Sequence, residues 1–232
     1  MSVKFGLCIK PVQFTGNYDD LLKIGSGLVK NLHPFIGQHY VTDSMSLVEL
    51  QKCMENGKDY FQAKNALREF PKYNRLGLPY KFDTLVNKQG IIAEHFILAL
   101  DRYVTPKNIL MGITSIPCYH SFNRSYVYGM GDEKLKQLAF VCTGYPEFEN
   151  IKSNIFIQKV IAHGMHEIGH ALGLGHHSPH ADKHGKLCPM AKVSKEYLKK
   201  KGIPLDHYDL YRRNSFCRRC LKQLKSEFNL NK

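Results

Sequence analysis

Residues 163–177 read HGMHEIGHALGLGHH, and six of these fifteen positions are His or Glu. On a helix, His166 and His170 stand at i and i+4, one turn apart on the same face. Two imidazoles in that relation can chelate one cation. Glu167 lies about 100° round the helix from His166, so it can flank the ion without entering its coordination shell. Gly173 tolerates a positive φ, which allows the helix to end and the chain to turn sharply. That turn brings His176 back as a third nitrogen. Three neutral imidazoles around zinc leave the fourth tetrahedral position for water, the pattern of a reactive rather than a structural ion. The competing reading is a buried helix that happens to carry unrelated histidines.

The spacing decides between the two. H-E-x-x-H is the signature of zinc peptidases, with the Glu as general base toward water. The longer string H-E-x-x-H-x-x-G-x-x-H should arise by chance in only about one of 10⁴ chains of this composition. His163 shares the metal-facing side but sits a turn too early along the axis, so packing is its expected role. Gly164 and Gly169 inside the helix cost about 1 kcal/mol each relative to Ala. Close approach of a backbone or a ligand is expected to offset that.

A second set of ligand-type residues follows. Cys217 and Cys220 form a CxxC, which reaches one zinc from a tight turn. No thioredoxin-like βαβ pattern precedes it, which argues against a redox dithiol. Cys188 supplies a third sulfur, and His177 the fourth ligand of a Cys3His tetrahedron, with His180 and His184 as competitors on the same loop. Metal binding there would supply folding energy to a segment with little apolar periodicity. Met190, which follows Pro189 shortly after the third histidine, suits a Met-turn packed beneath the zinc ligands.

The elements that must position these groups are legible in part. SVKFGLCIKPV at the start alternates as a strand, and NILMGIT, SYVYGM and QLAFVC are three further short β-rich runs. SMSLVELQKCMENGKDYFQAKNALREF over residues 44–70 has helical periodicity, with Asp43 or Ser44 as N-cap. KQGIIAEHFILALDRYV is a second helix, with Ile91, Ile92, Phe96, Ile97 and Leu100 on its buried face. The active helix spans about 154–174, its stripe of Ile157, Val160, Ile161, Met165, Ile168 and Leu172 facing the sheet. A last helix occupies about 215–229. The expected architecture is one domain over residues 1–232, of mixed α/β (α+β) class. An upper part, 1–176, carries sheet and active helix; a lower, irregular part, 177–232, carries the Met-turn and the second zinc.

Composition bounds the function. The chain has 232 residues, 43% hydrophobic and 23% charged, as expected of a globular protein. No run approaches the roughly 18 apolar residues of a membrane span, and the start lacks the pattern of a signal peptide. An intracellular, cytoplasmic location is the default reading, with no membrane partner and a monomer as the default state. Seven cysteines, an odd number, argue against a disulfide framework. The net charge is +13, and residues 183–232 hold 14 Lys and Arg against 4 Asp and Glu. That field would attract nucleic acid or an acidic peptide, or simply solvate the lower face.

Taken together, these residues resemble the archaemetzincins, a branch of the metzincin zinc peptidases. The resemblance rests on His166–His176, on Cys188-Pro189-Met190 and on Cys217–Cys220, all in the family's order, and covers most of residues 75–220. It implies a metzincin-like domain with a mixed twisted sheet and a small zinc-stabilised C-terminal subdomain. It further implies two zinc ions, one catalytic and one structural, with Glu167 as base in peptide hydrolysis, in some relatives from the amino terminus. The edge strand around Ser125–Met130 would pair with substrate. Two departures stand out. His177 occupies the family's Cys position, and the loops are long: ten residues separate His177 from Cys188, and 26 separate Met190 from Cys217. The alternative function is a non-enzymatic or degenerate zinc module that binds nucleic acid or protein through its basic tail. Against it, a binding module has no use for a Glu between two ligands or for a site one ligand short.

Overall fold

The computed structural model describes residues 5–33, 35–46, 49–50, 86–87, 90–120, 127–131, 137–179, 181–203 and 210–228. The chain enters on β1 (Phe5–Val12), passes through α1 (Tyr18–Leu32) and returns on β2 (Ile36–Val41). Two short strands, β3 (Val86–Asn87) and β4 (Gly90–Ile92), precede α2 (Ala93–Asp101). Then come β5 (Asn108–Thr114), β6 (Cys118–Tyr119), β7 (Gly129–Gly131) and β8 (Leu138–Cys142). The long helix α3 (Ser153–Ala171) follows, and α4 (Lys195–Lys201) and α5 (Arg218–Glu227) punctuate the C-terminal part. No helix among the described residues is long and apolar enough to cross a membrane.

Five strands form the main sheet in the order β2-β1-β5-β8-β7. The first four run parallel and β7 is the antiparallel edge. Strands β1, β5 and β8 are almost wholly buried, as parallel strands covered on both faces must be. Successive residues of β5 show the two covers. Met111 approaches Gly164 of α3, while a Cβ on Gly112 would strike Leu100 of α2. Since neighbouring strand residues point to opposite faces, α3 and α2 pack on opposite sides. Phe96 of α2 meets Phe140 of β8 edge-on at 5.0 Å.

Helix α1 starts at the N-cap Asn17, whose side chain accepts from the Asp20 N–H at 2.7 Å. It buries Leu21, Ile24, Leu28 and Leu32 and crosses α3 closely. A Cβ on Gly27 would collide with Ile161, and one on Gly164 would stand 3.2 Å from Leu28 and 3.0 Å from the Met111 sulfur. The close approach at Gly164 is therefore to side chains of α1 and β5, not to the backbone or ligand expected.

The three predicted β-rich runs fall on β5, β7 and β8, and the first strand on β1. Of the expected edge strand, Ser125 and Tyr126 lie outside the described residues. One boundary is corrected. Residues 90–92 continue a strand paired with β3 and β6, so Ile91 and Ile92 are not helical, and α2 begins at Ala93. Phe96, Ile97 and Leu100 are buried as expected. The helix predicted over residues 44–70 lies outside the described residues except at its start. Helix α1 and strand β2 are not anticipated by periodicity.

Candidate metal centre

Helix α3 lays Val160, Met165 and Ile168 in the core, with Ile157 and Ile161 packed against its margin. His166 and His170 emerge on the other side. The helix ends in a Schellman turn: Leu174 N–H bonds to Gly169 O at 2.9 Å and Gly173 N–H to His170 O at 2.9 Å, with Gly173 at φ +85°. The chain reverses and presents His176. The His176 Nε2 atom lies 3.1 Å from His170 Nε2 and 3.2 Å from His166 Nε2.

The other ring nitrogens fix the tautomers. His166 Nδ1 stands 2.7 Å from Pro189 O, and His170 Nδ1 stands 2.9 Å from Leu174 O. A carbonyl only accepts, so each Nδ1 carries the proton and each Nε2 turns a bare lone pair inward. Burial, reinforced by the charge of Arg212, holds His166 well below the ordinary imidazole range. Burial and the neighbouring His170 bring His176 down to about 4. Neutral rings with convergent lone pairs repel unless a cation lies between them. Zn–N bonds of about 2.0–2.1 Å at the tetrahedral angle demand N···N edges of roughly 3.3 Å, close to those seen. The donor set fits zinc.

Glu167 is 7% exposed. Burial lifts its carboxyl to about 8, while the Arg212 guanidinium and the Gly131 N–H oppose the rise. The edge strand lies directly over it. A Cβ on Gly129 would stand 2.7 Å from Glu167 Cγ, and one on Gly131 would overlap the Glu167 carbonyl. Two glycines thus admit β7 to contact with α3. Neither they nor Arg212 stood out in the sequence. Gly129 and Gly131 alternate with Met130 in a Gly-x-Gly edge pattern, the one signal available; Arg212 sits in an irregular basic stretch with none.

Met190 is fully buried, and its sulfur occupies the space a Cβ on Gly169 would need. The close approach at Gly169 is thus to a side chain, not to the backbone or ligand expected. The same turn supplies the Pro189 carbonyl that orients His166. His163 is buried, stacked on Tyr128 at 5.7 Å and tilted against Phe148 at 5.9 Å. It packs, and takes no part in the nitrogen cluster.

The second cluster also assembles. Cys217 Sγ is 3.5 Å from His177 Nε2 and 3.6 Å from Cys220 Sγ, which is 3.9 Å from Cys188 Sγ. His177 Nδ1 faces the Ser178 carbonyl at 2.8 Å, leaving Nε2 to the sulfurs. Zn–S bonds of about 2.3 Å at the tetrahedral angle give S···S edges of roughly 3.8 Å. The thiol of Cys220 hydrogen-bonds the Cys188 sulfur, pulling Cys188 down to about 4, and Cys220 is pushed up in turn. His184 is exposed and stands apart from this group; His180 lies outside the described residues.

Comparison with solved structures agrees with the architecture. The archaemetzincin of Methanopyrus kandleri superposes with a TM-score of 0.57 at 17% identity, over 97% of this chain and 96% of that one. The chain has the archaemetzincin fold. The Archaeoglobus fulgidus archaemetzincin, complexed with malonate, gives 0.56 at 15% identity over 94% and 99% of the two chains. A zinc-dependent peptidase of Methanocorpusculum labreanum gives 0.52 at 17% identity, again over 94% and 99%. No protein-family model and no curated protein matches the sequence.

Proposed function

We propose that this chain is a zinc-dependent peptidase of archaemetzincin type. The observation that carries the reading is the convergence of three imidazole nitrogens, His176 Nε2 lying 3.1 and 3.2 Å from the other two, beside a buried carboxyl. His166, His170 and His176 would hold the reactive zinc, and His177, Cys188, Cys217 and Cys220 a structural one. Zinc bound to the three histidines supplies Lewis acidity toward water and toward a peptide carbonyl. Glu167 takes the proton from the attacking water and delivers it to the leaving amine nitrogen as the C–N bond breaks. A carboxyl poised by burial against Arg212 and the Gly131 N–H can accept and return that proton near neutral pH. Strand β7 is the free edge of the sheet beside α3, and a peptide or protein substrate would add to it antiparallel. The basic lower face suits acidic residues beyond the scissile bond.

The test is a peptide-library digest of the zinc-loaded chain, with product mapping to separate internal cleavage from removal of amino-terminal residues. Glu167→Ala is expected to retain zinc and fold while losing at least about 10²-fold in turnover. Undiminished cleavage by that variant would remove Glu167 from the mechanism. Salt-sensitive DNA binding without cleavage of any peptide would favour the zinc-module alternative instead.

A further inference from the structure

A cavity of about 540 Å³ opens about 20 Å from the histidine cluster, at the other end of α3. Its position follows from the sheet. From β1 the chain crosses to β2 on one side, while β5 lies on the other, so the strand order reverses between β1 and β5. In open parallel sheets ligands bind outside the carboxyl ends of the strands at such a point. Here the walls come from the residues just after three parallel strands: Thr15 after β1, Ser115 after β5 and Thr143 after β8. Phe148 and Phe156 add apolar faces. The volume falls in the range of small-molecule sites.

The polar lining has one sense. Thr15 donates both its N–H and its hydroxyl to Ser115 Oγ, each at 3.0 Å. The Thr143 hydroxyl donates to the Thr114 carbonyl at 3.1 Å, so in its 3.3 Å contact with Ser115 the proton comes from Ser115. Ser153 donates its hydroxyl to Asp20 Oδ1 at 2.8 Å. Every hydroxyl proton is committed, and what the side chains offer inward is acceptors only. Two of them are carboxylates, Asp20 and Glu149. Among the described residues no Lys, Arg or His lines the cavity.

Asp20 is the decisive group. It is 7% exposed and lines the cavity, yet among the described residues its second carboxylate oxygen has no hydrogen-bond partner. That oxygen keeps its acceptor capacity for a donor that enters the cavity. We propose that this crevice is a second ligand site, binding a small aliphatic ammonium compound whose charged nitrogen sits against Asp20. An ammonium group has three donors and no acceptor, the complement of this lining. Glu149 at the exposed rim would receive a second amine, and the phenylalanine faces would cover the carbon chain. Anions meet two carboxylates, and polyols bring acceptors that find no donor among the side chains.

Calorimetric titration of the full, zinc-loaded chain at 0.15 M salt tests this with three compounds of similar length: 1,4-diaminobutane, 1,4-butanediol and succinate. Saturable binding is expected for the diamine alone. Asp20→Asn keeps the acceptor for Ser153 but removes the charge, and is expected to weaken the diamine at least about tenfold. Should that variant fail to fold, the exposed Glu149→Gln serves, with a loss of severalfold expected. Equal binding of butanediol, diamine affinity unchanged in the Asp20 variant (or, where that one does not fold, in the Glu149 variant), or no saturable diamine binding below about 10 mM would each overturn the proposal.

Discussion

At the scale of single residues, the site places an acid where an acid is expensive. Glu167 is buried against the edge strand, and burial is the leading cause of its rise to about 8. A group with a raised folded-state pKa contributes most below its unfolded value, near 4.5, and that contribution is lost as pH rises through 8. In metal-free protein, Glu167→Gln should therefore match wild type at pH 4 and exceed it by about 2–4 kcal/mol at pH 9. Urea unfolding at the two pH values checks this; a difference that does not change with pH would show that the carboxyl ionises freely in the fold. Two of the three histidines behave oppositely. His166 and His176 are held neutral, so their rings need shed few protons to accept zinc. Uptake by this triad should change little between pH 6 and 8, which competition with a chromogenic chelator would measure as the zinc taken up by the unaltered chain beyond that taken up by a His166→Ala, His170→Ala variant. A steep rise across that range would contradict neutral rings.

At the scale of elements, the contact between β7 and α3 depends on missing side chains. A methyl at Gly131 would meet a backbone carbonyl, that of Glu167, which cannot swing aside. Gly131→Ala is expected to destabilise by about 1–3 kcal/mol and to slow turnover, because the carboxyl beneath the strand moves with it. A Cβ on Gly175 would meet nothing within 4 Å, and the φ there is ordinary. Gly175→Ala is therefore the control, with stability changed by less than about 0.5 kcal/mol. Equal effects of the two would deny the close contact. The same contacts explain what the sequence could and could not reveal. His166, His170, Gly173 and His176 were legible because one helix and one turn carry them, so spacing alone encodes the geometry. Strand β1 was legible as an alternating run and β5 and β8 as short β-rich runs, although the fold buries both faces of all three. Helix α1 was not read, although Leu21, Ile24, Leu28 and Leu32 stand at helical spacing; Gly25 and Gly27, against which His39 and Ile161 pack, lower its helix propensity. Arg212 and Gly131 reach Glu167 from segments distant in sequence, and no local pattern announces such a meeting.

At the scale of the whole molecule, the two parts rest on different physics. The sheet, α1, α2 and α3 bury a continuous apolar core. Among the described residues beyond Leu174, turns and isolated bridges outweigh α4 and α5, and the large buried apolar side chains are Leu187, Met190, Leu198, Phe216 and Leu224. This region also carries most of the excess positive charge, which opposes compaction. Several contacts fasten it to the upper part, among them Met190 against Gly169 and the Pro189 carbonyl on His166. Phe228 stacks edge-on against Phe5 at 5.4 Å, and Gln223 donates to the Gly173 carbonyl at 3.0 Å. The four residues His177, Cys188, Cys217 and Cys220 join the ends of this region at one point, and a zinc ion there would add to the apolar contacts it shares with the main core. Stripping metal with a strong chelator should then expose residues 181–217 to limited proteolysis while β1 through α3 stay protected. Cys217→Ser with Cys220→Ser should reproduce the pattern without chelator. Cleavage spread evenly over both parts would show that the lower region is not a separately stabilised unit, and unchanged resistance would show that its packing suffices without the ion.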